Sequence, residues 1–157
     1  MRSRYKRFGL LTLMVLLFSV QINIVQAHVG KPTVYVNGQK LDVDAIATGE
    51  NNSVTFIPFR PIFEALEMEV EWDEKTKTVT ASKDSTLIKL RANNLTGFLN
   101  EKKVQLSSAP FINNDTLYVN LRFIAEGAGG KVRWEKVSDN EMYVYIELTD
   151  SITNSNN

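Results

Sequence analysis

The chain has no cysteine and a single histidine, His28, among its 157 residues. Without cysteine there is neither a disulfide to brace the fold nor a lipid-modified cysteine to anchor it, so stability has to come from burial alone. With one histidine no Ser-His-Asp set can be assembled. No glycine-rich loop opens a helix. Gly127, Ala128, Gly129 and Gly130 instead follow a helical pattern, at the wrong end of the dipole to cradle a phosphate. Long apolar runs are missing too. The run at residues 8–20, FGLLTLMVLLFSV, has 13 residues, against the roughly 20 needed to span a bilayer.

That run follows Arg2, Arg4, Lys6 and Arg7 with no acid among them, and precedes Val25, Gln26 and Ala27. A basic start, a short apolar core and small residues at a cut site read as a secretory signal over 1–27, removed after Ala27. The alternative, an uncleaved N-terminal anchor, needs the run extended through Gln21 and Asn23. The signal holds four of the 18 basic residues and none of the 18 acidic ones, leaving 14 bases against 18 acids, a net charge of −4. A mildly acidic product disfavours nucleic acid and anionic membrane as partners. About 130 residues suffice for one ordinary core or two small ones sharing an interface.

What is present is a pattern written twice. FRPIFEALEMEVEWD (59–73) aligns without gaps on LRFIAEGAGGKVRWE (121–135), matching Arg60 with Arg122, Ile62 with Ile124, Glu64 with Glu126, Val70 with Val132 and Trp72 with Trp134. Upstream, TVYVNGQKLDV (33–43) resembles TGFLNEKKVQL (96–106), with Asn37 opposite Asn100. Asn37-Gly38 between alternating apolar runs predicts a β-hairpin, because a type I′ turn needs positive φ at both central residues. Further turns are expected at residues 50–53 and 113–115, each leading into a β-rich segment, VTFIP (54–58) and TLYVN (116–120). Ile62, Phe63 and Leu66, and in the other copy Leu121, Ile124 and Ala128, recur at helical spacing. Pro61 suits a first helical turn, and Gly127, Gly129 and Gly130 are expected to end the second helix. Strands follow at 68–72, 85–90, 130–134 and 142–148, with a hairpin turn near Asp73–Lys75. The tail, residues 150–157, is polar and aperiodic and is expected to be disordered.

Taken as a set, the hairpin Asn-Gly, the β-Pro-Φ-Arg-x-Φ-Φ-Glu-Ala-Leu segment, Val-x-Trp-Asp and Thr-Lys-Thr-Val resemble the copper amine oxidase N-terminal (stalk-like) domain over about residues 31–149. The resemblance implies an α+β, β-rich fold of two tandem repeats, 28–92 and 93–149. Each would be a twisted antiparallel sheet with one short helix packed on it. It also implies a non-catalytic accessory role. Two positions depart from the pattern: Glu67-Met68 stands where Gly-Ala is expected, and Asn120 replaces a proline. The oxidases themselves need three copper-ligating histidines and a tyrosine preceded by asparagine. Here Tyr5, Tyr35, Tyr118, Tyr143 and Tyr145 follow Arg, Val, Leu, Met and Val. At a new N-terminus His28 would lack a second histidine as a further nitrogen ligand. The expectation is no catalytic residue, no cofactor and no metal.

Six residues carry the doubled pattern: Arg60, Glu64, Trp72, Arg122, Glu126 and Trp134. Glu64 and Glu126 suggest a glycosidase carboxylate pair, but nothing in the sequence brings them together. Glu67, Glu69 and Glu71 alternate with Met68 and Val70, as on a strand with one wet face. The arginines suit either an anion clamp or stems packed on the core with heads on carbonyls or a nearby acid. The tryptophans suit sugar platforms or core covers. A structural role is expected for all six. The functional expectation is a secreted binding or accessory module. Its partner would be an extracellular protein or cell-wall component, with no membrane span after signal cleavage. The alternative is a small exported enzyme inhibitor using a rigid loop at 49–53 or 112–115.

Overall fold

Asn37 and Gly38 take positive φ of 49° and 79°, forming the tight turn that their side chains tolerate. They join β1 (Thr33–Val36) to β2 (Gln39–Leu41). The computed structural model describes residues 31–49, 53–138 and 141–149. The segment 1–27 expected to be a secretory signal, His28, most of the turn expected at 50–53 and the tail expected to be disordered lie outside the described residues. Next come β3 (Ile46–Thr48), β4 (Val54–Pro58), α1 (Phe59–Ala65), β5 (Glu69–Asp73), β6 (Thr78–Lys83) and β7 (Thr86–Arg91). The second half runs β8 (Thr96–Leu99), β9 (Lys102–Gln105), β10 (Phe111–Asn113), β11 (Thr116–Asn120), α2 (Leu121–Gly127), β12 (Gly130–Ser138) and β13 (Glu141–Leu148).

Among the described residues the fold is β-rich, with two seven-residue helices. Its strands do not form one sheet per half, as expected from the sequence. They form three sheets, ordered β12-β13-β1-β2, β10-β11-β4-β3 and β5-β6-β7-β8-β9, and each takes strands from both halves. The first hairpin of each half leaves home. β1 pairs with β13 in parallel, Thr33 beside Tyr143 and Val36 beside Ile146. β8 and β9 extend β5-β6-β7. In the middle sheet β11 lies antiparallel to β4, with Val119 opposite Ile57.

The two turn asparagines fasten this exchange. Asn37 N–H donates to Ile146 O at 2.8 Å, and its Oδ1 accepts from Leu148 N–H at 2.9 Å. Asn100, at φ 50°, repeats the arrangement on β7. Its N–H donates to Leu87 O at 2.8 Å, and its Oδ1 accepts from Leu87 N–H at 2.7 Å. In effect the asparagine amide oxygen extends the backbone ladder past the end of the hairpin.

Each helix lies against the β4–β11 pair and the strand that follows it. Phe59, Ile62, Phe63 and Leu66 are buried from the first helix segment, and Leu121, Ile124 and Ala125 from the second. Ala125, not Ala128, completes the second buried face. With Ile57, Val119, Ile88, Leu90, Val144 and Ile146 these side chains form a single core cluster that spans both halves.

The helix ends explain both departures from the expected pattern. Asn120 caps α2, its Oδ1 accepting from Phe123 N–H at 3.1 Å, whereas Pro58 offers α1 no side-chain cap. After α2, Gly129 takes φ 83° and its N–H donates to Glu126 O at 3.0 Å. At the matching point after α1, Glu67 is held at φ 59°, its N–H donating to Glu64 O at 2.9 Å. Of the three glycines expected to stop α2, only Gly129 does so. Gly127 is the last helical residue, and Gly130 opens β12, where a Cβ would sit 2.9 Å from Ala125 O.

Candidate functional site

The six doubled residues fall in two separate places, and in each an arginine shares a groove with a tryptophan. The first groove, of about 590 Å³, is lined by Pro58, Phe59, Arg60, Pro61 and Trp72, by Asp42, Val43 and Asp44, and by Asp115, Thr116, Leu117 and Tyr118. The second, of about 560 Å³, is lined by Asn120, Leu121, Arg122, Phe123, Glu126, Val132 and Trp134, by Gln105, Leu106 and Ser107, and by Ser53, Val54, Thr55 and Val144.

These are corresponding places. Residues 58–61 and 72 match 120–123 and 134 at an offset of 62, and 42–44 match 105–107 at 63. The remaining wall comes from the opposite half: 115–117 closes the first groove and 53–55 the second. This is a direct result of the β4–β11 pairing, which sets β11 beside α1 and β4 beside α2. The tryptophan repeat pointed to these places, but the opposing wall left no mark in the sequence, because it depends on strand exchange.

Within the first groove Trp72 is half-buried, its ring 5.5 Å from that of Phe59 and tilted by 30°. Its indole N–H donates to Glu74 Oε2 at 2.7 Å. Arg60 is exposed, its guanidinium carbon 5.3 Å from the centre of the Phe59 ring, a cation–π contact. In the second groove Trp134 is 36% exposed. Leu121 stands in place of Phe59 and offers no ring to stack on. Arg122 pairs with Glu126 at 3.2 Å, one helical turn along. Glu64 is exposed and makes no ion pair among the described residues. Glu64 and Glu126 line no common groove.

The grooves differ in charge. Asp42, Asp44 and Asp115 face Arg60 in the first. Only the paired Arg122 and Glu126 are charged in the second, whose other polar groups are hydroxyls and amides. The perturbed acids lie outside both, at the ends of β5. Glu67 is held below the usual range by a hydrogen bond and charge from Lys83, 2.8 Å away. Asp73 is lowered by the Thr76 hydroxyl and by Thr76 and Lys75 backbone N–H groups, the last two at 3.1 Å and 2.9 Å. Glu74 is lowered by Lys77 and the Trp72 indole.

The family model of the copper amine oxidase N-terminal domain matches residues 35–144. The chain belongs to that family. The match covers both grooves, all six doubled residues and both helices. A search of curated proteins found no match. Copper does not fit this copper amine oxidase N-terminal domain: the described residues include no histidine, and no three of their acids are grouped to hold a metal ion. No helix among the described residues is long and apolar enough to cross a membrane.

Proposed function

We propose that this copper amine oxidase N-terminal domain is an exported, non-catalytic accessory module that works in the cell envelope or outside the cell. In this reading it consists of two tandem copies of one unit, and it holds an extracellular or cell-wall ligand in its two grooves. One observation carries the reading: corresponding residues of the two halves build two grooves, each placing an arginine beside a tryptophan at a helix start. A structural repeat needs matched core residues, but it does not need matched concave surfaces. An accessible indole with a guanidinium beside it suits a saccharide or peptide that carries an anionic group. The inhibitor alternative needs a projecting loop. Asn114 and Asp115, at φ 47° and 59°, instead form a tight turn that serves as a groove wall.

The test is a pull-down on isolated cell-wall material with soluble wall fragments as competitor. Trp134→Ala and Arg122→Ala should lose binding while keeping a cooperative melt. If these and the matching Trp72 and Arg60 variants all bind as the parent chain does, the groove reading fails.

A further inference from the structure

The strand β12 is nine residues long and forms one edge of its sheet. The other edge strands are much shorter: β2, β3 and β10 have three residues each, β9 four and β5 five. Natural sheets keep exposed edges short, because a long one offers a row of backbone donors and acceptors to another strand. On β12 every residue from Arg133 to Ser138 is exposed, including Trp134 at 36% and Val137 at 57%.

We infer that β12 pairs antiparallel with β12 of a second copy of this chain, about a two-fold axis at Trp134. The charge pattern selects this partner and this register. With the axis at Trp134, Arg133 faces Glu135 of the partner subunit, and Glu135 faces Arg133 of the partner subunit. Both residues lie on one face of the strand, where they already pair at 2.9 Å within the chain. Shifting the axis by one residue sets Arg133 against its own copy, or Glu135 against its own copy, and like charges directly opposite are unfavourable. The corresponding edge, β5, is barred from the same pairing. It carries Glu69, Glu71 and Asp73 on one face, so any self-pairing there opposes acid to acid. At the axis the two Trp134 side chains become cross-strand neighbours, and the two Trp134 grooves merge into one.

Sedimentation of the purified chain over a dilution series should show a monomer–dimer equilibrium. Arg133→Glu and Glu135→Arg should each weaken it about tenfold, because the two-fold doubles every altered pair. The combined swap should restore it. Both side chains are exposed, 62% and 49%, so the fold is retained and a melting curve verifies it. The chain has no cysteine, so Trp134→Cys should oxidise to a covalent dimer more readily than Val137→Cys, which lies off the axis. A monomer at every concentration would overturn the inference. So would a dimer indifferent to the single reversals, assemblies larger than a dimer, or equal cross-linking at both positions.

Discussion

Glu67 does with strain what Gly129 does freely. Both close a helix in the left-handed region, where a Cβ is crowded by its own backbone. Glu67→Gly is expected to raise the melting temperature even though the exposed contact with Lys83 is lost, since such surface pairs contribute little. Gly129→Ala should lower stability by about 1 kcal/mol through backbone strain alone, because nothing lies within 4 Å of the added carbon. Denaturant titration of both variants checks the pair. Tyr143 offers a second residue-scale prediction. Its hydroxyl donates to Glu141, and that hydrogen bond, followed by desolvation and the Glu141 charge, pushes its pKa up to about 12. The folded state therefore holds this proton more tightly than the unfolded chain, whose tyrosines ionise near 10. The linked stability is whole below about pH 10 and is lost as pH climbs through 12. Phenolate absorbance should show one late-titrating tyrosine, absent from Tyr143→Phe.

Among the elements, the helices differ most at their starts. Asn120→Ala should cost about 1–2 kcal/mol, since it removes the cap on Phe123 and a 3.4 Å contact with Ser107. The two tryptophan strands should separate as well. Trp72→Ala, which strips the ring from Phe59, should cost about 2–4 kcal/mol, and Trp134→Ala about 1–2 kcal/mol. Equal losses measured by thermal unfolding would refute the distinction between them. Local chemistry made much of this legible. The segments 54–58 and 116–120 are the strands β4 and β11 to the residue, because alternation and bounding turns are short-range signals. Ile62, Phe63 and Leu66 marked the helical face for the same reason. Trp134 is more exposed than its counterpart Trp72, which has Phe59 to pack against, whereas Leu121 holds that place in the second half. What surrounds a residue is not written at its own position.

At the scale of the molecule, the grooves and the sheets share one cause, the pairing of strands across the two halves. Which strand pairs with which was not readable in advance, since pairing is decided by burial over long separations and leaves no local pattern. The exchange predicts that residues 28–92 stay unfolded when made alone. They would lack β11 for the middle sheet and β13 for β1, in a length already marginal without disulfides. Mixing them with residues 93–149 should recover the far-ultraviolet signal of the intact chain. A cooperative melt of either fragment by itself would contradict this.

The parallel seam between β1 and β13 also governs the order of events in time. Leu148 and Asn37, joined by a 2.9 Å hydrogen bond, are 111 positions apart. A chain emerging from the ribosome with its N-terminus leading exposes β1 first among the described strands, and β13 last. This hairpin, with Val34 and Val36 bare, must therefore wait for every strand from β3 to β13 before its seam can close. Such long-range closure folds slowly and leaves apolar strands open to wrong partners meanwhile. The arrival of β13 closes the seam, and a chain that stalls before Glu141 would be left with β1 unclaimed.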